Sequence, residues 1–264
     1  MIAGGDQMAT SLPNAFETED AKRTYVRRLF ATIADRYDLI TRILSCGMDQ
    51  RWKARLVRMS GAVAGVRALD LACGTGDIAF ALAARGADAT GLDVTYRMVE
   101  LARTKTAGAA RAPRFIAGDM MSLPFPDDTF DLVTTGYGIR NVPRIETALA
   151  EIRRVLRPGG ALLSLDFNRP ERPLVRRVYL AYLTAIGSTL GWVLHRDPDT
   201  YRYIPESIRR YPGARGVATI MERLGFVACR IEPLLGGLMA INSGSLPPTV
   251  AAASSTIAAA SPPP

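Results

Sequence analysis

The chain has 264 residues, of which 48% are hydrophobic and 22% are charged. This length and composition favour one large α/β domain with an insertion over two separate domains. Three cysteines without a CxxC pair and a single histidine, His195, leave no plausible Cys/His metal set, so we expect a reduced, metal-free protein of the cytosol.

The formal net charge of +8 at pH 7 indicates an anionic partner without identifying it. Nucleic acid and anionic lipid both qualify, and the alternative is an ordinary soluble basic surface. The arginine pairs lack the interleaved aromatic residues that are typical of a platform for single-stranded nucleic acid. We therefore expect no nucleic-acid partner.

Both ends of the chain are predicted to be disordered, which leaves a domain over residues 20–243. Residues 1–19 contain no basic n-region and no continuous apolar core, so we expect no signal peptide, and Met8 is an alternative start. Residues 244–264 offer almost no large apolar side chains to bury.

The predicted domain opens with two or three helices over residues 20–60, where WKARLV is apolar at helical spacing. Short aliphatic strands then alternate with helices. The predicted strands are VRALDLA, ADATGLD, RFIAGD, FDLVTTGYG and GGALLSLDF, the last of them after the PGG break at 158–160. The first two crossover helices are predicted from Asp77 to Arg85 and, capped by Thr95, to about Lys105.

A helical insertion over about 170–212 and a helix ending at Gly225 precede a final pair of strands, FVACRIEP and GLMAINS. This alternation predicts a doubly wound, mainly parallel α/β sheet of seven strands, Rossmann-like, with helices on both faces. In such sheets ligands bind at the carboxyl ends of the strands, near the point where the strand order reverses.

A glycine turn follows the first predicted strand. Gly74 and Gly76 with Ala79 satisfy the pattern G-x-G-x-x-G/A, and Asp93 ends the next strand 17 residues after Gly76, near the expected spacing of about 20. Glycines let backbone N–H groups approach a ligand, while a carboxylate at the second strand end accepts from two ribose hydroxyls. Any cofactor that contains adenosine could use this arrangement.

Four aspartates cluster in sequence around the predicted strand ends: Asp70, Asp77, Asp93 and Asp119. A cluster of carboxylates attracts a cationic ligand and repels a pyrophosphate. The glycine turn is also not followed by a lysine that could bind a phosphate. S-adenosylmethionine carries a sulfonium and an ammonium and no phosphate. For Asp77, in the first turn of a helix, we favour a structural role, and for Cys73 the role of a small side chain in the turn.

Longer segments resemble the class I S-adenosylmethionine-dependent methyltransferases: DLACGTGD, the GLD strand end, GDMMSLPFPDDTFDLVTTGYGIRNV and EIRRVLRPGGALLSLDF. FATIADRYDLITRILSCGMDQRWK and DTYRYIPESIRRYPG are similar to the quinone C-methyltransferases, which methylate demethylmenaquinone and polyprenyl-benzoquinol. The resemblance runs from about Phe30 to Asn242. It implies methyl transfer to a ring carbon of a prenylated quinol in menaquinone or ubiquinone biosynthesis.

The resemblance also implies a cofactor site made of Gly74, Thr75, Gly76, Asp93, Asp119, Met120 and Gly136. Thr75 and its glycine neighbours would cradle the methionine moiety, Asp93 would bind the ribose, and Asp119 with Met120 would frame the adenine. Many relatives carry serine where this chain has Gly136, which removes a hydroxyl contact. The ending AINSGSLPP replaces the basic, histidine-containing ending of relatives.

On the substrate side, ring-carbon methylation requires help in forming or stabilising a phenolate. We expect Arg140, just after the fourth strand, to be the catalytic residue, against the alternative of an arginine that binds loop carbonyls. Tyr137 and Asn141 are candidates for orienting the ring, and Tyr37 for touching cofactor or substrate. His195 is either an exposed helix-end residue or a base.

The run 178–194 contains 17 uncharged residues, the lower limit for spanning a bilayer. We favour a helix that walls the pocket for the prenylated ring or dips into the membrane interface beside Arg172, Arg176 and Arg177, with a buried lid helix as the alternative. The two lid segments, about 20–60 and 170–212, would cover the active site, on a protein at the inner face of the cell membrane. Self-association is left open.

Three other functions compete with quinol methylation. The first is a methyltransferase for another lipophilic small molecule, because the substrate pocket is the least readable part of the sequence. The second is an NAD-dependent oxidoreductase that uses the G-x-G-x-x-A turn. The third is a basic RNA-binding module.

Overall fold

The computed structural model describes residue 12 and residues 14–45, 47–109, 111–196 and 200–249. The helices in these residues are α1 (Glu19–Ile33), α2 (Tyr37–Leu44), α3 (Asp49–Met59), α4 (Asp77–Ala84), α5 (Tyr96–Thr104), α6 (Ile145–Val155), α7 (Pro173–His195), α8 (Tyr203–Arg210) and α9 (Gly213–Arg223). The strands are β1 (Arg67–Leu71), β2 (Asp88–Asp93), β3 (Arg114–Ala117), β4 (Phe130–Gly136), β5 (Leu156–Phe167), β6 (Val227–Leu234) and β7 (Met239–Ser245).

The seven strands form one sheet in the order β3-β2-β1-β4-β5-β7-β6. The first five strands pair in parallel, and β7 runs antiparallel to both β5 and β6. The strand order reverses between β1 and β4, so the turn after β1 lies at the position where such sheets bind ligands. The predicted doubly wound, mainly parallel seven-stranded α/β fold is confirmed.

Alternating side chains of the central strands build a core on each face of the sheet. Leu69 and Leu71 of β1 pack with buried residues of α6 and α9 on one face. Ala68 of the same strand packs with residues of α3 and α4 on the other face, which include Leu56 and Ile78. Because successive strand residues point to opposite faces, one strand supports two helical layers.

The two lid segments pack against each other although more than 100 residues separate them in the chain. Ile33 of α1 and Ile40 of α2 share a core cluster with Tyr201 and with Leu194 of α7. The Arg36 guanidinium adds a hydrogen bond of 2.6 Å to the Leu194 carbonyl oxygen. The lid is therefore one packed layer, built from both ends of the domain.

Aromatic stacking attaches the N-terminal segment to α8. Tyr203 stacks on Phe16 with ring centroids 5.6 Å apart and on Tyr25 at 5.5 Å.

Among the described helices, none combines the length and apolar character needed to cross a bilayer, and this includes α7 with its uncharged run. The side chain of His195 lies outside the described residues.

The structure corrects two local predictions. The PGG segment does not precede β5 but forms an irregularity inside it, where the register with β4 shifts between Phe130 and Leu132. Thr95 takes the N-cap position of α5 without making a side-chain cap. Instead, the Thr95 N–H donates to Asp93 Oδ1.

The domain also reaches further at both ends than predicted. A short 3-10 turn covers Asn14–Phe16, and α1 begins at Glu19. At the other end β7 continues to Ser245, and Leu246 is buried in the main core because its side chain is apolar and its N–H bonds the Gly160 carbonyl oxygen at 2.9 Å. Residues 1–11, 13 and 250–264 of the two predicted disordered ends lie outside the described residues.

Candidate active site

The turn after β1 contains two glycines in left-handed backbone conformations. Gly74 has a φ of 54° and Gly76 a φ of 96°, which glycine adopts without the steric cost that other residues meet. The Gly74 N–H donates to Oδ2 of Asp93, at the end of β2, over 2.9 Å. This hydrogen bond holds the turn against the neighbouring strand end.

Asp93 is buried and uses both carboxylate oxygens in backbone hydrogen bonds. Oδ1 accepts from the Thr95 N–H at 2.8 Å, and Oδ2 accepts from the Gly74 N–H. Burial raises the pKa of Asp93, and these two hydrogen bonds oppose the rise. An ionised carboxylate offers about four lone-pair sites, so Asp93 retains the capacity to accept from two further hydroxyl groups.

A cavity opens above the ends of β1, β2 and β4 and encloses about 710 Å³, its open mouth included. We call it the strand-end cavity. The sequence-predicted residues in its wall are Tyr37, Gly74, Asp93, Asp119, Met120, Gly136, Tyr137 and Asn141. The wall is otherwise mainly apolar, with Phe30, Leu92 and Met98 among its members.

Two predicted cofactor residues do not line this cavity. The hydroxyl group of Thr75 donates to Oδ1 of Asp38 at 2.7 Å, because α2 lies next to the glycine turn. Gly76 forms the bend that starts α4, where an added Cβ would lie 2.7 Å from the Phe115 ring. Gly136 does line the cavity, but a Cβ on it would point at Ile78 Cδ1, 2.8 Å away.

Fewer of the four predicted aspartates line the strand-end cavity than the sequence indicated. Asp70 is fully buried below the turn, where its Oδ1 accepts from the Thr134 hydroxyl at 2.9 Å. Asp77 binds the Lys53 ammonium at 2.8 Å and so ties α4 to the lid helix α3. Only Asp93 and Asp119, of the four aspartates, line the strand-end cavity, and Arg23 lies 3.3 Å from Asp119.

A second and larger cavity, about 1220 Å³ with its open mouth, lies between the lid segments and the sheet. We call it the lid cavity. Its lining is predominantly aliphatic and aromatic, and its polar members include Arg140, Asn141 and Tyr203. Four residues line both cavities: Phe30, Tyr37, Tyr137 and Asn141. The two cavities therefore meet at a common wall.

Both tyrosines of the common wall are held in the neutral form. Burial raises the pKa of Tyr37 to about 12 and that of Tyr137 well above its usual value. Tyr137 also has a φ of 63°, an uncommon conformation for a bulky residue, and its N–H bonds the Leu165 carbonyl oxygen at 2.7 Å. Backbone outliers of this kind concentrate at functional sites.

Arg140 lines the lid cavity but is engaged by buried partners. Its Nε lies 3.2 Å from Oδ1 of Asp166, its backbone N–H donates to Oδ2 of the same residue at 3.0 Å, and its guanidinium bonds the Ser207 hydroxyl. The guanidinium carbon also lies 5.1 Å from the Phe167 ring centroid. This arrangement fixes a positive charge at the edge of an apolar cavity.

The sequence interpretation missed Asp166, Ser207 and Lys22. Asp166 lies near the end of β5, so the rule that directed attention to other strand ends could have found it. Ser207 lies in the YRYIPESI segment that carried the resemblance. Lys22 on α1 donates to the carbonyl oxygens of Arg140 at 3.2 Å and Val142 at 2.6 Å, and the sequence carries no signal for this contact.

Comparison with known proteins identifies the family. The model of the ubiE/COQ5 methyltransferase family matches residues 18–245. A ubiquinone/menaquinone biosynthesis C-methyltransferase of Methylobacterium nodulans is 41% identical over 246 residues, which are 90% of this chain and 97% of that protein. A demethylmenaquinone methyltransferase of Thermus thermophilus is 40% identical over 83% of this chain and all of its own length.

The chain belongs to the ubiE/COQ5 methyltransferase family. It is a methyltransferase, and S-adenosylmethionine is its methyl donor. Solved structures agree on the fold: a SAM-dependent methyltransferase from Thermotoga maritima superposes with a TM-score of 0.61 at 19% identity and covers 83% of this chain and 99% of its own. A putative S-adenosyl-L-methionine-dependent methyltransferase from Methanococcus maripaludis gives 0.59 at 20% identity, over 82% of this chain and 93% of its own.

Family membership excludes the NAD-dependent oxidoreductase and the RNA-binding module as primary functions. The sheet agrees, because dinucleotide-binding sheets have the order 3-2-1-4-5-6, whereas here an antiparallel β7 lies between β5 and β6. The residues of the strand-end cavity also fit the donor. They combine a carboxylate with spare lone pairs at Asp93, an apolar surface at Met120 and no side chain at Gly74.

The role of Asp93 can be tested by replacing its carboxylate. We expect Asp93→Ala to weaken binding of S-adenosylhomocysteine at least about tenfold, because hydrogen bonds to a charged acceptor contribute about 1.5–3 kcal/mol each. Isothermal titration calorimetry measures the affinity. Asp88→Ala, on the same strand but in an exposed pair with Arg114, is the matched control and should bind as wild type. Wild-type affinity in Asp93→Ala would refute the ribose contact.

Asp70 makes stability depend on pH. Burial raises its pKa to about 7, with the Thr134 hydrogen bond opposing, so only the folded state keeps the proton between about pH 4 and 7. Stability should therefore fall as pH rises through this window and level off above it. We expect Asp70→Asn to match wild type near pH 4 and to exceed it at pH 8 by about 1–4 kcal/mol, since each pKa unit corresponds to about 1.4 kcal/mol.

Urea unfolding of the ligand-free proteins across this pH range measures the difference. Asp88→Asn, at an exposed carboxylate, is the control and should follow wild type at every pH. Parallel pH profiles for Asp70→Asn and wild type would contradict a raised pKa at Asp70.

Proposed function

We propose that this enzyme transfers a methyl group from S-adenosylmethionine to a ring carbon of a prenylated quinol, demethylmenaquinol or a related benzoquinol. The observation that carries the proposal is the common wall of Phe30, Tyr37, Tyr137 and Asn141, because a cavity suited to the donor and a larger apolar cavity suited to a prenylated ring adjoin there. The names of the relatives, which refer to ubiquinone, menaquinone and demethylmenaquinone, support the same substrate class.

On the donor side, we assign the ribose to Asp93 and the adenine to the edge formed by Asp119 and Met120. The methionine moiety would lie along the glycine turn, against the backbone of Gly74 and Gly76 and near Thr75. For Thr75 to contribute its hydroxyl, the hydrogen bond to Asp38 has to be shared or exchanged, which makes α2 part of donor binding. Gly136 would contribute backbone only.

On the acceptor side, S-adenosylmethionine supplies a methyl group on a sulfonium, so the protein has to position the ring carbon and exclude water. Tyr37 and Tyr137 present neutral aromatic surfaces at the common wall. Arg140 places a permanent positive charge beside the lid cavity, where it would stabilise negative charge that develops on a ring oxygen. Burial raises the pKa of its partner Asp166, and the Arg140 guanidinium opposes this rise.

The substrate assignment predicts a labelled ring product. Purified enzyme is incubated with methyl-deuterated S-adenosylmethionine and, separately, with a short-chain demethylmenaquinol and the corresponding benzoquinol under reducing conditions. We expect at least one ring to gain a deuterated methyl group on carbon, as measured by mass spectrometry with fragmentation. An incubation without enzyme is the negative control, and Asp93→Ala should give less product when the donor is below saturation.

Failure of both rings to gain a methyl group, in a protein that binds S-adenosylhomocysteine, would overturn the quinol assignment. The enzyme would then be a methyltransferase for another lipophilic small molecule.

We also propose that the enzyme is cytoplasmic and contacts the inner face of the cell membrane through α7. Along this helix a stripe of apolar side chains faces solvent: Leu174, Val178, Tyr182 and Trp192. Exposed Leu39 and Ile43 of α2 add further apolar surface. Tyr182 and Leu235 are exposed and also line the lid cavity, so the mouth of that cavity opens beside the stripe.

Basic side chains beside the apolar stripe also favour contact of this surface with the membrane. Arg172 and Arg177 are exposed at the start of α7, and Arg42 is exposed on α2 near Ile43. An apolar stripe flanked by arginines is typical of helices that lie in an anionic membrane interface. A prenyl tail could then stay in the bilayer while the ring enters the lid cavity.

Vesicle binding tests this surface. We expect the enzyme to co-sediment with vesicles that contain phosphatidylglycerol, and Val178→Glu to reduce the bound fraction several-fold, because it places a charge in the apolar stripe. Val63→Glu is the matched control, since Val63 is 54% exposed and Val178 62%, and Val63 lies before β1, at the opposite end of the strands. Equal binding by the two variants would contradict the assigned surface.

A further inference from the structure

Asn141 carries a buried acceptor without a donor. Its Nδ2 donates to the Tyr137 carbonyl oxygen at 2.8 Å, which fixes the amide orientation because only the nitrogen can donate. Oδ1 therefore faces away from Tyr137. It exposes less than 1 Å² to solvent and has no hydrogen-bond partner among the described residues. An unsatisfied buried acceptor is costly, so its retention requires an explanation.

The position of Asn141 indicates where the missing donor comes from. The residue lines both the strand-end cavity and the lid cavity. Its own N–H bonds the Gly138 carbonyl oxygen at 3.0 Å, and Lys22 binds the carbonyl oxygens on either side of it, those of Arg140 and Val142. The backbone is thus held on three sides, and bulk water does not reach Oδ1. Since Asn141 lines both cavities, a molecule seated where they adjoin can supply the donor once it displaces the side chains that cover Oδ1 in the ligand-free structure.

The two oxidation states of the ring differ in the group they would offer to this atom. A quinol presents O–H groups, which can donate to Oδ1, whereas a quinone presents only carbonyl oxygens, which cannot. A quinone carbonyl oxygen that faces Asn141 Oδ1 is repelled by it, and both oxygens remain without a hydrogen-bond donor. Because the amide is held by Tyr137, it cannot rotate to offer its NH₂ group instead without breaking the 2.8 Å hydrogen bond.

We propose that Asn141 makes the enzyme bind the quinol in preference to the quinone, because its Oδ1 can accept a hydrogen bond from the quinol only. This inference rests on the proposed function, and it adds a specificity-determining atom, Asn141 Oδ1. Such selection excludes the oxidised ring, whose carbon is not nucleophilic, from a site where it would compete with the substrate.

Tyr203 provides an internal contrast. Its hydroxyl group is buried, has no hydrogen-bond partner among the described residues, and belongs to a residue that lines the lid cavity. A neutral phenol both donates and accepts, so it can bond either form of a ring oxygen. Burial keeps Tyr203 neutral by raising its pKa. A change at Tyr203 should therefore alter affinity for both ring forms together, whereas a change at Asn141 should alter their ratio.

The test measures binding of naphthohydroquinone and of naphthoquinone to the enzyme saturated with S-adenosylhomocysteine, by anaerobic calorimetry. We expect wild type to bind the hydroquinone at least about tenfold more tightly, because one buried acceptor is satisfied in one complex and unsatisfied in the other. Asn141→Leu, of similar size, should bring the two affinities within about threefold, mainly by weakening the hydroquinone. Tyr203→Phe should retain the wild-type ratio.

Each outcome bears on the inference. Equal affinity of wild type for the two rings would overturn it while leaving ring methylation in place, and so would an unchanged ratio in folded Asn141→Leu. If Asn141→Leu fails to fold, the wild-type ratio still decides, and Asn141→Ala replaces the variant. If wild type binds neither ring, although it binds S-adenosylhomocysteine, the proposed function fails and the inference fails with it.

Discussion

The hydrogen bond from the Gly74 N–H to the Asp93 carboxylate is the interaction on which the site depends. It joins the ends of β1 and β2 and holds a turn whose backbone angles suit glycine. The space above the turn stays open because Gly74 has no side chain, and the Tyr37 ring lies where a Cβ would make van der Waals contact, 3.6 Å away. The carboxylate that holds the turn also retains lone pairs that can accept from a ligand. Asp93 can therefore serve both the local fold and ligand binding.

The second constraint comes from the lid. Residues from both ends of the domain enclose the lid cavity, and they pack together through an apolar cluster that includes Ile33 and Leu194 and through the stacking of Phe16 on Tyr203. The ion pair of Lys53 with Asp77 ties this layer to α4, directly after the glycine turn. The lid and the glycine turn are therefore in contact at two points, the ion pair of Lys53 with Asp77 and the hydrogen bond from Thr75 to Asp38.

The fold could be predicted from the sequence because alternating strands and helices leave few topologies, and the strand ends pointed to Asp93 and Asp119 for the same reason. The structural role predicted for Asp77 fits its ion pair with Lys53. The acidic cluster at the strand ends was predicted too wide, because the partners that hold Asp70 and Asp77 outside the cavity, Thr134 and Lys53, are distant from them in sequence. The partners of Arg140 could not be predicted either. Whether an arginine pairs with a buried carboxylate depends on tertiary packing, and the local sequence around the arginine does not reveal that packing.

We propose that methyl donor and acceptor meet at the common wall of Phe30, Tyr37, Tyr137 and Asn141. A crystal structure of the enzyme with S-adenosylhomocysteine and a naphthohydroquinone tests it most directly. We expect the ribose on Asp93, the sulfur atom facing the common wall, and the ring in the lid cavity with one oxygen at hydrogen-bond distance from Asn141 Oδ1. A ring bound elsewhere, or a sulfur atom separated from the ring by the two tyrosines, would contradict it.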